Sequence, residues 1–303
     1  LYDAVGLGTW IGEDFDARVL SALKAHSAES RGGAADEFDD LHTAAGTPGP
    51  MVPYSIIVEN GHEVVRNLEM LKSILGPSAL RWVQLGPPAL ENLPAYGLAK
   101  QQGLAHLYGV EDYTPEMLLR FGSALTVATV QQEINAIVRP AAESVAACKK
   151  LGCSFVAYGP LLGGLLSDEY LGRSRPRPDV DHSKQWDYLA SIDAWAGWAT
   201  FQQLLEAMRR VGDRHGRLPI ATVALAYVLQ LDGVSAAIVG VRLGIGADAA
   251  TAPGHSASGS IVYHRRHRRA TLEALRLRLS ADDVRLIEAV LHQGNILDGL
   301  ART

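Results

Sequence analysis

The chain has 303 residues, 48% hydrophobic and 20% charged, which is enough apolar material for one large core. Its formal net charge of −5 supplies no broad cationic field for nucleic acid, and no apolar run reaches the roughly 18–20 residues that a membrane-spanning helix needs. The two cysteines, Cys148 and Cys153, have neither redox-motif nor zinc-ligand spacing, so a reducing intracellular setting is expected rather than secretion, and no targeting segment is recognisable at Leu1.

Strand-like and helix-like segments alternate along the chain. Val5 to Trp10 is a short apolar run ending in Gly-Thr-Trp, and Asp14 to His26 has helical spacing with Asp14 as its cap. Ser27 to Asp40 reads as a polar, acidic loop. Ser55 to Val58 is β-like, Glu63 to Leu75 is amphipathic and stops at Gly76-Pro77, and Leu80 to Leu85 is a strand that stops at Gly86-Pro87-Pro88. Pro94 to Gln102 reads as a helix, Ala105 to Val110 as a strand, and Pro115 to Phe121 as the start of another helix. Strands separated by helices at this interval predict parallel βαβ units.

The most informative segment comes next. Ser154 to Ala157 is an apolar run that ends in Tyr158 and then Gly159-Pro160. A buried strand there delivers a flat ring to the mouth of a loop, and α/β proteins bind ligands at the carboxyl ends of their strands. Such a ring can stack on a planar cofactor, while glycine lets backbone approach closely. On spacing alone, a core strand with an ordinary turn is the preferred reading.

The wording of Tyr158-Gly159-Pro160-Leu161-Leu162-Gly163-Gly164-Leu165-Leu166 resembles the aldo-keto reductases. Val130-Gln131-Gln132-Glu133-Ile134-Asn135 with Arg139-Pro140 looks like the family's sixth strand, and Asp193-Ala194-Trp195-Ala196-Gly197-Trp198 with Phe201-Gln202 precedes a helix ending near His215-Gly216. Ala221 to Leu229 and Ala237 to Gly244 continue the order of a plant, algal and fungal branch. The resemblance covers roughly the last two thirds of the chain. It implies a single (β/α)8 TIM-type barrel over residues 1–303, with a shortened or eroded N-terminal part and an insertion near residues 245–262.

The same resemblance sets out a chemistry. The family protonates its carbonyl substrate with a tyrosine whose pKa a lysine and an aspartate lower, and a histidine orients the substrate. A tyrosine alone has a pKa near 10 and needs a neighbouring cation to work at neutral pH. With Gln84 as the anchor of the register, Gly86 stands at the histidine position. Thr43 falls at the lysine position and Ala44 at the tyrosine position, with Asp39 as a possible remnant of the aspartate; the two registers compete for one short segment. Tyr54 is the nearest tyrosine.

On the cofactor side, Tyr158 matches the ring that stacks on nicotinamide and Gln131 the carboxamide partner. Gly240 and Arg242 match the strand end that grips a 2′-phosphate. Gly109-Val110-Glu111-Asp112 replaces the usual Ser-Asn pair with two carboxylates, which repel an anionic dinucleotide unless they point away. No cofactor is therefore expected, and NADP(H) if any. His62 and His215 lack ligand-spaced partners, so no metal is expected.

The basic run Arg265, Arg266, Arg268 and Arg269 reads either as a solvated helix start or as a docking patch for other protein subunits, with nucleic acid a weaker option. The expectation is a catalytically inactive homologue serving as a structural or binding subunit of a larger assembly, alternatively an NADPH-dependent reductase of carbonyl substrates. The resemblance tilts the compartment toward the chloroplast, with the cytoplasm as the alternative.

Overall fold

Gly-Pro stops and capped helix starts divide the chain where the sequence pattern changes. The computed structural model describes residues 8–11, 55–58, 64–75, 82–85, 93–105, 107–177, 183–239 and 271–300. They fall into two compact units: Leu1–Gln131 with Ala142–Phe155, and Gln132–Ala141 with Val156–Thr303.

The first unit is a parallel ladder with helices as crossovers. Its strands are β1 (Gly8–Ile11), β2 (Ser55–Val58), β3 (Trp82–Leu85), β4 (Leu107–Glu111) and β5 (Val127–Glu133), the last running on past Gln131 into the second unit. Each pairs in parallel with the next. Parallel neighbours need long crossovers, and three of these are α1 (Val64–Leu75), α2 (Leu93–Gln101) and α3 (Pro115–Gly122). Thr114 caps α3 by accepting from Met117 N at 3.3 Å, and Pro115 starts the helix where no N–H is missed. Helix α4 (Ala142–Leu151) completes the unit with the start of β7 (Ser154–Tyr158).

Side chains alternate across this ladder and so assign its faces. Tyr108 reaches the helices, where its hydroxyl donates to Tyr96 O at 2.7 Å and its ring lies 6.2 Å from that of Tyr96. Tyr96 and Tyr113 in turn pack on Phe121. Gln84, Gly109, Thr129, Glu111 and Gln131 therefore share the opposite face, since Gln84 pairs with Gly109, Gly109 with Thr129 and Glu111 with Gln131. A one-residue irregularity beside Tyr108 and Gly109 sets the Thr129 and Gln131 register. Burial pushes the Tyr108 hydroxyl up to about 12, so it stays a donor. Tyr108→Phe leaves the Tyr96 carbonyl without this bond and is expected to cost about 1–2 kcal/mol; a urea titration showing no loss would mean water replaces the phenol.

The second unit carries the end of β7, β8 (Val234–Ala237), and the two-residue pair β6 (Val138–Arg139) and β9 (Leu297–Asp298). Its helices are α5 (Ser183–Trp195), α6 (Gly197–Arg214), α7 (Ile220–Leu229) and α8 (Ala281–Leu291), with residues 271–276 also helical. Helix α7 is apolar on nearly every side, Ile220 through Val228 being buried except Ala221. That is the signature of a helix enclosed by neighbours. Leu162, Leu189, Phe201, Met208 and Ile287 pack in the same apolar core.

Several boundaries differ from the sequence reading. The segment 130–135 is not all strand: β5 ends at Glu133, and Asn135 folds the chain into a turn. Asp193 and Trp195 belong to α5, while Phe201 and Gln202 lie inside α6 rather than before it. Gly197 separates the two helices with φ of 78°, a conformation that costs glycine little. The strand expected from Ala237 starts earlier, at Val234. The segments 27–40 and 245–262 lie outside the described residues.

Candidate cofactor-binding site

The first unit contributes a polar face at the carboxyl ends of β3, β4 and β5. Gln131 is 8% exposed, and its carbonyl accepts from Asp112 N at 3.0 Å, which extends the β4–β5 ladder one residue past Glu111. Glu111, half-buried, pairs in register with Gln131, so the two residues belong to one face of the ladder. Asp112 takes a left-handed φ of 51°. Deeper on the same face, Gln84 is fully buried with neither amide atom hydrogen-bonded, and the Thr129 hydroxyl is also unpartnered. Between them Gly109 carries no side chain. Buried polar groups in this state are satisfied by water or a ligand, so the face has unused hydrogen-bonding capacity. Gln84 had served only to set the register in the sequence; its burial was not visible there.

In the second unit Tyr158 is the last residue of β7 and half-buried. Its carbonyl accepts from Ile134 N at 3.2 Å, while Ala157 O accepts from Ile238 N at 2.8 Å just beyond β8. Gly159 then turns the chain with φ of 62°. A Cβ there would lie 2.7 Å from the Tyr188 hydroxyl of α5, so the position needs glycine for its backbone conformation and for space.

Asn135 fixes this turn from beneath. It is wholly buried, its Oδ1 accepts from Ile137 N and Val138 N at 3.0 Å each, and its Nδ2 donates to Glu133 Oε1 at 3.2 Å and Gly159 O at 3.4 Å. Glu133, Asn135, Tyr158, Gly159 and Tyr188 thus form one cluster at the carboxyl ends of β5 and β7. Glu133, Asn135 and Tyr188 had no role in the sequence reading. Only the Asn-x-x-Val turn chemistry around Asn135 hinted at one.

A separate network joins β6 to α7 and α8. Arg139 bonds the Tyr227 hydroxyl and pairs with Glu288 Oε1 at 3.0 Å, and its guanidinium lies 5.5 Å from the Tyr227 ring centroid. Burial pushes the Tyr227 hydroxyl far above its ordinary value, so it stays protonated and donates to Glu288. Among the described residues no group of three or more His, Cys, Asp or Glu side chains is placed to hold a metal ion. Nor is any helix among them long and apolar enough to cross a membrane.

The remaining sequence-predicted positions lie outside the described residues. These are Asp39, Thr43, Ala44, Tyr54 and Gly86 on the substrate side, and Gly240 and Arg242 on the phosphate side. The basic residues Arg265, Arg266, Arg268 and Arg269 lie outside them too.

Parallel strands joined by helices define an α/β protein of the barrel class. The Aldo/keto reductase family matches residues 80–244, more than half of the 303 residues, and the chain belongs to that family. Two curated relatives are similar. Flagellar radial spoke protein 5 of Chlamydomonas reinhardtii is 34% identical over 128 residues, 41% of this chain and 24% of that protein. An aldo-keto reductase of Gibberella moniliformis is 25% identical over 145 residues, 46% of this chain and 42% of that protein. The chain thus matches less than half the length of either.

Solved structures share the fold. A glycerol dehydrogenase from Gluconobacter oxydans superposes with a TM-score of 0.64 at 15% identity, covering 96% of this chain and 91% of that one. A thermostable aldo-keto reductase solved with the inhibitor epalrestat gives 0.55 at 18% identity, covering 96% and 95%. At these identities the likeness establishes the (β/α)8 barrel fold and leaves substrate and activity to the residues themselves.

Proposed function

We propose that the chain is an oxidoreductase domain of the aldo-keto reductase type that binds NADP(H) and takes a carbonyl compound as hydride acceptor. Tyr158 carries this reading: it is the last residue of β7, and Gly159, whose carbonyl accepts from Asn135 Nδ2, turns the backbone directly after it. A flat ring in that place suits stacking on a nicotinamide. In the first unit Gln131, buried in β5, matches the family position that meets the carboxamide. The cofactor, when bound, supplies the hydride, and Tyr158 contributes the stacking ring.

The test begins with NADPH binding followed by protein fluorescence. Tyr158→Ala is expected to raise the Kd about tenfold, the equivalent of the ~1.4 kcal/mol that an aromatic stacking contact contributes. An unchanged Kd would remove Tyr158 from the site.

A second reading rests on Gly86, Thr43 and Ala44, which put no histidine, lysine or tyrosine where the family keeps them. Those groups act as a unit, so losing them together removes turnover while leaving a surface that still binds. On this reading the chain is a non-catalytic subunit of a larger assembly. The similarity to a radial spoke protein, itself named for an assembly, accords with it. NADPH oxidation against a panel of aldehydes and ketones separates the two. Turnover above a protein-free control supports the reductase; binding without turnover supports the subunit.

A further inference from the structure

Helices α2 and α4 end in the same way, but one of the two endings brings sulfur to sulfur. At α2, Leu104 N donates to Ala99 O at 2.9 Å and Gly103 N to Lys100 O at 3.1 Å, with Gly103 at φ 66°. At α4, Cys153 N donates to Cys148 O at 3.0 Å and Gly152 N to Lys149 O at 3.4 Å, with Gly152 at φ 71°. This pair of bonds around a left-handed glycine is the Schellman ending. It characteristically presses the side chain after the glycine against the one in the last helical turn. In α2 the two residues in these positions are Ala99 and Leu104, both buried. In α4 they are the chain's only two cysteines.

The pairing has three properties that matter chemically. The backbone bond between Cys148 and Cys153 draws their Cα atoms together, as a disulfide spanning about 4.4–6.8 Å between Cα atoms requires. The same cap turns the Cys148 and Cys153 side chains toward each other, and each thiol shifts the other's ionisation as a neighbouring group does. Both residues are buried, Cys148 at 2% exposure and Cys153 at 9%. Interaction with the Cys148 thiol holds the Cys153 thiol below its ordinary value, against the effect of burial, while Cys148 is pushed up. A thiolate, not a thiol, is the nucleophile in sulfur oxidation. Sequence spacing alone does not reveal any of this, because the five-residue separation matches no redox motif; the cap geometry supplies the contact.

We propose that Cys148 and Cys153 are a redox-active dithiol that closes to an intrachain disulfide when the chain meets a hydroperoxide. The Cys153 thiolate attacks the distal peroxide oxygen, breaking the O–O bond and releasing an alcohol, or water from hydrogen peroxide, once the leaving oxygen takes a proton. The resulting sulfenic acid is then attacked by Cys148 sulfur, forming the S–S bond and expelling water. Two thiols are oxidised by two electrons and one peroxide is reduced. A dithiol reductant returns both thiols by exchange.

Intact mass and peptide mapping after treatment with a few equivalents of hydrogen peroxide test this directly. The wild-type chain should lose two hydrogens, both cysteines should escape alkylation in denaturant, and dithiothreitol should restore them. In Cys148→Ser the sulfenic acid has no partner, so dimedone should label Cys153, about tenfold more than it labels Cys148 in Cys153→Ser. Full alkylation of both cysteines after peroxide, disulfides between chains, or oxygen gain that dithiothreitol cannot reverse would each overturn the proposal. Equal dimedone labelling in the two variants would overturn the assignment of Cys153 as the attacking sulfur.

Discussion

Replacing Asp283 by alanine is expected to lower stability by about 3 kcal/mol, because one buried carboxylate joins the end of α6 to the start of α8. Asp283 is the third residue of α8, and its side chain is 3% exposed. Its Oδ2 accepts from Ser280 N at 3.1 Å and from the Ser280 hydroxyl at 2.7 Å, while Ser280 Oγ accepts from Asp283 N at 3.2 Å. This reciprocal box satisfies two donors that the helix start leaves open, worth about 1 kcal/mol. His215 Nε2 lies 2.8 Å from Oδ2 and Arg214 Nη1 3.2 Å from Oδ1. Arg214 is 55% exposed, so solvent screens its share. The charge-assisted bonds to the buried end supply the remaining roughly 2 kcal/mol.

The same carboxylate gives a pH signature. Burial pushes Asp283 upward, but hydrogen bonds from His215, Ser280 and Arg214 outweigh it and hold the carboxyl well below the usual carboxylate range. A group whose folded pKa is depressed stabilises the fold fully above its unfolded pKa, near 3.9 for aspartate. That contribution is lost as pH falls from there toward the folded value. Asp283→Asn, which keeps the volume, should therefore be less stable than wild type at pH 7, with a gap that shrinks as pH drops below about 4. Denaturant midpoints measured at both ends decide it: a constant gap would mean that shape, not charge, carries the effect.

Much of the secondary structure was legible because local chemistry marks it. Ser55–Val58 is a strand with the bounds its apolar run suggests, and α1 stops where Gly76-Pro77 follows. Thr114-Pro115 announces α3 by cap and first-turn proline together. The end of β5 was not legible: nothing in the run Gln131-Gln132-Glu133-Ile134-Asn135 marks a stop, yet Asn135 Oδ1 accepts from Ile137 N and Val138 N and closes a turn. A competing side-chain bond of this kind has no signature in periodicity.

The candidate site divides the same way. Tyr158 was readable because the glycine that exposes it is its neighbour, whereas Tyr188 approaches Gly159 from another helix and nothing in the sequence pairs them. Gln84 and Thr129 share a face only through the β3–β4–β5 register, which an irregularity at Tyr108 and Gly109 resets. Register is set by long-range packing, so their common orphaned state could be seen only in the structure.

Two glycine-to-alanine changes should move stability in opposite directions, and the contrast follows from what surrounds each position. Gly97 lies inside α2 with nothing within 4 Å of where a Cβ would go. Alanine there restricts the unfolded chain without a clash and should stabilise by about 0.5–1 kcal/mol. Gly212 lies inside α6, where the same propensity gain of about 1 kcal/mol applies. There the segment after the helix folds back: Gly212 O accepts from His215 N at 3.2 Å and Leu218 N at 2.9 Å. An added Cβ would overlap Leu218 O and stand 2.7 Å from Arg209 Nη2. Arg209 donates to that same carbonyl at 2.7 Å and pairs with Asp168 at 2.6 Å, while Asp168 accepts from Ile220 N at 2.9 Å at the start of α7. Displacing the carbonyl therefore disturbs the chain entry into α7 as well. Overpacking costs about 1–3 kcal/mol, and a lost bond from a charged donor about 1.5–3 more. The clash outweighs the propensity gain, for a net loss of about 3 kcal/mol in Gly212→Ala. Thermal and urea unfolding of both variants beside wild type provide the check. A Gly212→Ala chain as stable as Gly97→Ala would show that the 215–218 segment yields freely, and that the Arg209–Leu218–Asp168 linkage does not hold it.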